Sequence, residues 1–138
     1  MPSTRTVFPV VVCVLFCAGC GDDDGVEADR VGVGAECKTD VDCAPPLPDG
    51  GVPQRCLTQF KGGYCGLQNC TSHAACPEGS ACVVHEDGER YCFRSCIDKA
   101  ECNVNRTPDN ESNCSSSVTY VDGDKSLGKA CVPPSGNP

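Results

Sequence analysis

The sequence predicts a small disulfide-rich fold: three tandem four-cysteine modules, each one helical turn plus a β-hairpin, with little other regular secondary structure. Three observations carry this expectation. Cysteine fills fifteen of 138 positions, a fraction that in a short chain marks a disulfide scaffold and an oxidising compartment. Twelve of these cysteines, from Cys37 to Cys131, fall into three groups of four, and in every group five residues separate the first two. The apolar content is thin: there is no tryptophan, and beyond residue 20 the aromatics are Phe60, Tyr64, Tyr91, Phe93 and Tyr120. Such a chain has little from which to build a core, so cross-links are expected to supply its stability, each worth about 2–4 kcal/mol.

Residues 1–19 read as an export signal. Arg5 gives a positive start, and an apolar run follows from Val7 to Ala18, interrupted by Pro9. The run is shorter than the roughly 20 residues needed to cross a bilayer as a helix, and small residues follow it, which is the pattern of a secretory signal peptide. The stretch Cys17-Ala18-Gly19-Cys20 resembles a bacterial lipobox, matching at Ala18, Gly19 and Cys20 and departing at Cys17, where an aliphatic residue is usual. That resemblance implies cleavage before Cys20 and attachment of diacylglycerol and acyl chains such as palmitate to its sulfur. Counting supports it, since an even set of cysteines from Cys37 onward leaves Cys20 odd. Ordinary signal-peptidase cleavage after Gly19, leaving a free terminal thiol, is the alternative.

Residues 20–36 are rich in Gly and Asp and lack apolar periodicity, so they are expected to form a lipid-anchored acidic tether. The acidic run Asp22–Asp24 reads as a solvated spacer rather than a metal site. With a net charge of −8, the chain has no footprint for nucleic acid and no electrostatic attraction to anionic lipid, so membrane attachment would have to be covalent.

The modules are expected at 37–65, 66–92 and 93–132, followed by a flexible tail at 133–138. Their disulfide cysteines are Cys37, Cys43, Cys56 and Cys65; Cys70, Cys76, Cys82 and Cys92; and Cys96, Cys102, Cys114 and Cys131. Two positions after each first cysteine stand Thr39, Ser72 and Asp98, all favoured helix N-cap residues, and Asp98 has capping-box spacing to Glu101. One turn is therefore expected in each module, held by the disulfides because it is too short to be stable alone. Between the third and fourth cysteines lie turn signals flanked by β-prone arms: Lys61-Gly62-Gly63, Asp87-Gly88 and Asp122-Gly123. The loops between second and third cysteines vary most and are expected to be exposed, on a binding face. Four cysteines allow three pairings that spacing does not distinguish. First-to-third with second-to-fourth is favoured here, because both bonds would then tie the helical turn to the hairpin.

This spacing resembles the tandem cysteine-rich repeats of myxobacterial-type surface lipoproteins and, more loosely, the Dickkopf N-terminal cysteine-rich region and whey-acidic-protein modules, although the adjacent Cys-Cys pair of the last is missing. The likeness covers residues 37–131 and implies an architecture and an address rather than an activity.

No catalytic constellation, phosphate loop or metalloprotease motif is present. From Cys37 onward no two cysteines have C-x2-C spacing, and with two histidines a metal site is not expected. His73 and His85 read as exposed. Asp40, Asp42, Asp98 and Glu101 hint at calcium but fall short of the six to eight oxygens it requires, and Ala75 occupies the matching position in the second module. The sequons at Asn69, Asn110 and Asn113 read as incidental beside a lipobox. The chain is therefore expected to be a non-enzymatic protein of the bacterial cell envelope, at the outer membrane or cell surface. It would be anchored through Cys20, carry no other cofactor, and display loops to an extracellular protein or glycan. The alternative is a secreted inhibitor- or ligand-type protein presenting the loop Ala44–Arg55, with Arg55 mimicking a basic substrate residue.

Overall fold

The computed structural model describes residues 27–30, 32–43 and 52–136; the signal segment, Cys20 and residues 44–51 lie outside the described residues. Among the described residues, seven short strands organise the body: β1 (Arg55–Cys56), β2 (Cys65–Gly66), β3 (Ser80–Val84), β4 (Arg90–Cys96), β5 (Asn113–Ser115), β6 (Thr119–Tyr120) and β7 (Lys129–Val132). Each module closes a hairpin on its third and fourth cysteines, which stand directly opposite one another: Cys56 with Cys65, Cys82 with Cys92, and Cys114 with Cys131. A 3-10 turn follows the first cysteine of each module, at Asp40–Asp42, His73–Ala75 and Glu101–Asn103, and the third module has a second such turn at Pro108–Asn110 before its hairpin.

Six disulfides join the twelve described cysteines, each within its own module: Cys37–Cys56 and Cys43–Cys65, Cys70–Cys82 and Cys76–Cys92, Cys96–Cys114 and Cys102–Cys131. The pairing is first-to-third and second-to-fourth throughout. Its Cα separations of 5.4–6.0 Å lie in the range that bridged cysteines require.

The turn chemistry follows the predicted residues with local variation. In the first module the Asp42 carboxylate accepts the backbone N–H of Lys38 (2.8 Å) and of Thr39 (2.9 Å), giving a capping box with Thr39. In the third, Asp98 accepts the N–H of Glu101 (3.1 Å) while Glu101 reaches back to the N–H of Ile97 (2.7 Å). The second module has Ala75 where the others have an acid, and a carboxylate arrives from elsewhere: Asp122 of the third module accepts the N–H of His73 at 2.9 Å.

Sequence reasoning places the third hairpin at Asp122-Gly123. A turn does form there, with Gly123 at φ +67°. Its flanking arms nevertheless separate: β6 pairs with β3 of the second module, and β5 pairs with β7 to make the hairpin. Because β7 also pairs with β4, the second and third modules share one five-stranded sheet in the order β5-β7-β4-β3-β6.

The modules also share a core. Strand alternation sends Ala81 and Val83 of β3 and Tyr91 and Phe93 of β4 to one face, and Cys82 and Cys92 to the other. Onto the aromatic face pack Leu57, Phe60 and Tyr64 of the first module and Tyr120 and Ala130 of the third. Phe60 is the hub, meeting Tyr64, Tyr91, Phe93 and His85 edge-on at centroid distances of 5.0–6.0 Å.

Both ends of the described chain differ from expectation. The segment read as a tether joins the body from Glu27: Ala28 and Val33 are buried in the shared core, and the Ala28 N–H donates to the Glu78 carbonyl at 2.7 Å. The tail read as flexible runs along the first module, with Pro133 fully buried, the Lys61 N–H donating to the Pro134 carbonyl, and Ser135 bridged to Phe60. The physical reason is the same at both ends. A few small apolar side chains suffice when main-chain groups find partners on an existing strand or turn.

Candidate functional site

A cleft of about 700 Å3 lies where the first and third modules meet, between the turn at Asp40–Asp42, the glycine pair Gly62-Gly63 and Asn110. Its other lining groups include Glu36, Lys38, Thr58 and Phe60. The glycine pair is required by geometry. Both residues have positive φ, a Cβ on Gly62 would lie 2.5 Å from the Asn110 side chain, and one on Gly63 would collide with the Cys37 carbonyl oxygen.

Behind the glycines, Arg106 fixes the wall of the cleft. Its guanidinium is buried and donates to the carbonyls of Gly34 (3.0 Å), Gly63 (2.9 Å), Lys61 (2.8 Å) and Asn110 (2.7 Å). It also lies over the Tyr64 ring at 5.9 Å. One side chain thereby joins the N-terminal segment, the first hairpin and the loop of the third module. Burial pushes the Arg106 pKa down while the nearby Glu36 charge raises it, and burial pushes the Tyr64 phenol up to about 12. Burial works to raise Glu36 too, but hydrogen bonds from the Thr107 N–H (2.6 Å) and hydroxyl (2.7 Å) outweigh it and lower the carboxyl. Sequence reasoning missed Arg106. It sits in a polar loop with no periodicity, and only the folded chain brings four carbonyls around it.

The loop carrying Arg106 is ordered at its base by Asn103, whose side chain accepts the Ser112 N–H (2.8 Å) and donates to the Ser112 carbonyl (3.0 Å). The carboxylates considered for calcium are engaged by the chain itself. Asp40 accepts the Cys56 N–H at 2.8 Å, and Asp42, Asp98 and Glu101 cap their turns. His85 is buried rather than exposed, with its ring against Phe60, Tyr91 and Phe93 and its Nδ1 3.5 Å from Asp87. His73, half-buried, joins the second and third modules: its Nδ1 accepts the Cys82 N–H (3.0 Å), and its Nε2 lies 3.1 Å from the Asp124 carbonyl. Arg55 is exposed at the start of β1, whereas residues 44–51 of its loop lie outside the described residues, as does Cys20. Asn69 has φ +66°, Asn113 is exposed on β5, and Asn110 belongs to the cleft.

Chemically, the cleft offers Lys38, the carboxylates of Glu36 and Asp42, peptide groups and the Asn110 amide. Comparison of the chain with protein-family models, with curated proteins and with solved structures finds no match.

Proposed function

We propose that the chain is a non-enzymatic, lipid-anchored extracytoplasmic protein whose cysteine-rich body serves as a binding module at the bacterial cell surface. The observation that carries this reading is the closed pairing of all twelve cysteines from Cys37 to Cys131 inside their modules, which leaves Cys20 without a partner among the described residues. Such pairing suits an oxidising compartment, and an odd cysteine after a short apolar run suits a thioether anchor. The cleft between the first and third modules is the surface assigned to a protein or glycan partner, because Arg106 and Asn103 hold its wall in place before any ligand arrives. Intact mass and fractionation test the anchor. Wild-type protein should carry acyl chains and partition with membranes, and Cys20→Ala should be soluble; a Cys20→Ala protein that stays on membranes removes the anchor from Cys20.

Exposed Arg55 beside the Cys37–Cys56 bond supports a second reading, an inhibitor of trypsin-like proteases. Incubation of the purified body with such a protease decides it, and absence of inhibition eliminates it.

A further inference from the structure

The two disulfides of each module lie side by side. In the first, the sulfurs of Cys37, Cys43 and Cys65 are all within 4.8 Å of one another; in the second, those of Cys70, Cys76 and Cys92; in the third, those of Cys96, Cys102 and Cys131. Each triad holds the first, second and fourth cysteine, and the third stands outside it. The sulfur of the first cysteine therefore lies within 4.8 Å of both sulfurs of the neighbouring bond.

Exposure adds a direction. Cys56 and Cys114 are partly buried, and their partners Cys37 and Cys96 are each 7% exposed. In the second module the corresponding Cys82 is fully buried within the sheet. Thiol–disulfide exchange depends on which sulfur the attacking thiolate reaches. In the outer modules that sulfur belongs to the third cysteine, so the thiolate released is the first cysteine, already beside a second disulfide.

We propose that Cys56 and Cys114 are sites of S-thiolation by a small-molecule thiol, and that each attack triggers bond exchange inside the module. The incoming thiolate forms a mixed disulfide with Cys56 and expels Cys37 as thiolate. Cys37 then attacks the Cys43–Cys65 bond, pairing with one of the two and releasing the other as thiolate. The same sequence runs from Cys114 through Cys96 to the Cys102–Cys131 bond. Each step forms one sulfur–sulfur bond and breaks one, the incoming thiol is the co-reactant, and no net oxidation occurs. The adduct is retained because the expelled thiolate has been consumed elsewhere. In the second module β3 covers Cys82, so entry at the third cysteine is closed there, and the partly buried member is instead Cys76, the second cysteine.

The test treats the purified protein with reduced glutathione at about pH 8, where a useful fraction of the thiol is ionised, followed by acid quench, alkylation and non-reducing peptide mapping. Glutathione is expected on Cys56 and Cys114, at least about tenfold faster than on Cys82. Alkylated thiols are expected at Cys43 or Cys65 and at Cys102 or Cys131, with Cys37 and Cys96 in new bonds inside their modules. A Cys43→Ser/Cys65→Ser protein should instead retain little adduct on Cys56, because Cys37 has no second bond to attack and re-closes on Cys56, while the third module reacts as before. If that variant does not fold, the wild-type map decides alone. Adducts on Cys37 or Cys96, comparable labelling of Cys82, free thiols that remain at Cys37 and Cys96, or no adduct would each overturn the proposal.

Discussion

Cys82 and Cys92 stand directly opposite each other on β3 and β4 and point to the same face of the sheet, yet each is bonded to a cysteine before the hairpin rather than to the other. Cys70 and Cys76 come up from the helical turn to meet them, so the turn is pinned to both arms of the hairpin at one level. The same crossing recurs in the other modules and explains how a turn of three residues persists where isolated helices of that length do not.

This arrangement predicts how damage spreads. Removing the Cys76–Cys92 bond as a Cys76→Ser/Cys92→Ser pair should cost about 2–4 kcal/mol. Because Tyr91 and Phe93 flank Cys92 and form the middle of the shared core, hydrogen exchange should accelerate around Phe60 and Tyr120 as well as in the second module. Acceleration confined to residues 70–92 would show that the modules are energetically separate.

Arg106→Ala should destabilise the protein by about 3 kcal/mol, because it leaves buried carbonyls without donors. Arg106→Lys should recover little, since an ammonium does not reproduce the planar fork that spans Gly34, Gly63 and Lys61. Urea denaturation of non-reduced protein measures both.

Two glycines with similar backbone angles should respond differently to alanine. Gly88, at φ +84° with open space around it, should lose about 1 kcal/mol. Gly63, at φ +69° against the Cys37 carbonyl, should lose more than about 2 kcal/mol. Thermal unfolding midpoints rank them, and equal losses would refute the close approach.

Acid should weaken the fold through carboxylates held below their ordinary values. For Asp42 the causes are the N–H groups of Lys38 and Thr39; for Asp124, hydrogen bonds from Ser126. For Asp87 and Glu36, burial opposes the shift, but hydrogen bonds from Glu89 and Tyr91 and from Thr107 prevail. A carboxyl lowered on folding stabilises fully above its unfolded value, here 3.8 for Asp and 4.5 for Glu, and loses that contribution as pH falls through the folded value. Non-reducing melts should therefore show a midpoint that drops below about pH 4.5, and Asp42→Asn should remove part of the pH dependence.

The cysteine spacing made the modules legible, because a bridging bond needs its partners at fixed separations and a repeated frame repeats its offsets. The turn residues were legible for the same local reason: Thr39 and Ser72 stand at the N-cap positions, although only Thr39 forms a capping box, and Gly62-Gly63 and Asp87-Gly88 turn. The join between modules was not. Nothing local distinguishes Thr119-Tyr120 as a partner for Val83-Val84 rather than as an arm of its own hairpin, since that choice depends on which strand edge remains open after β4 has taken β7. The cleft was hidden for a related reason, because Glu36, Gly63 and Arg106 are distant in sequence and meet only when the loop of the third module folds over the first.

A string of beads can be lengthened by threading on another bead, and gene duplication readily does this to linear repeats. Here β4 already has a neighbour on each side, and β3 is flanked by β4 and β6. An extra copy inserted between the second and third modules would have to displace an existing strand before it could dock. Between these two modules the shared sheet therefore opposes insertion of a further unit, whereas the loops that join the strands can change without disturbing it.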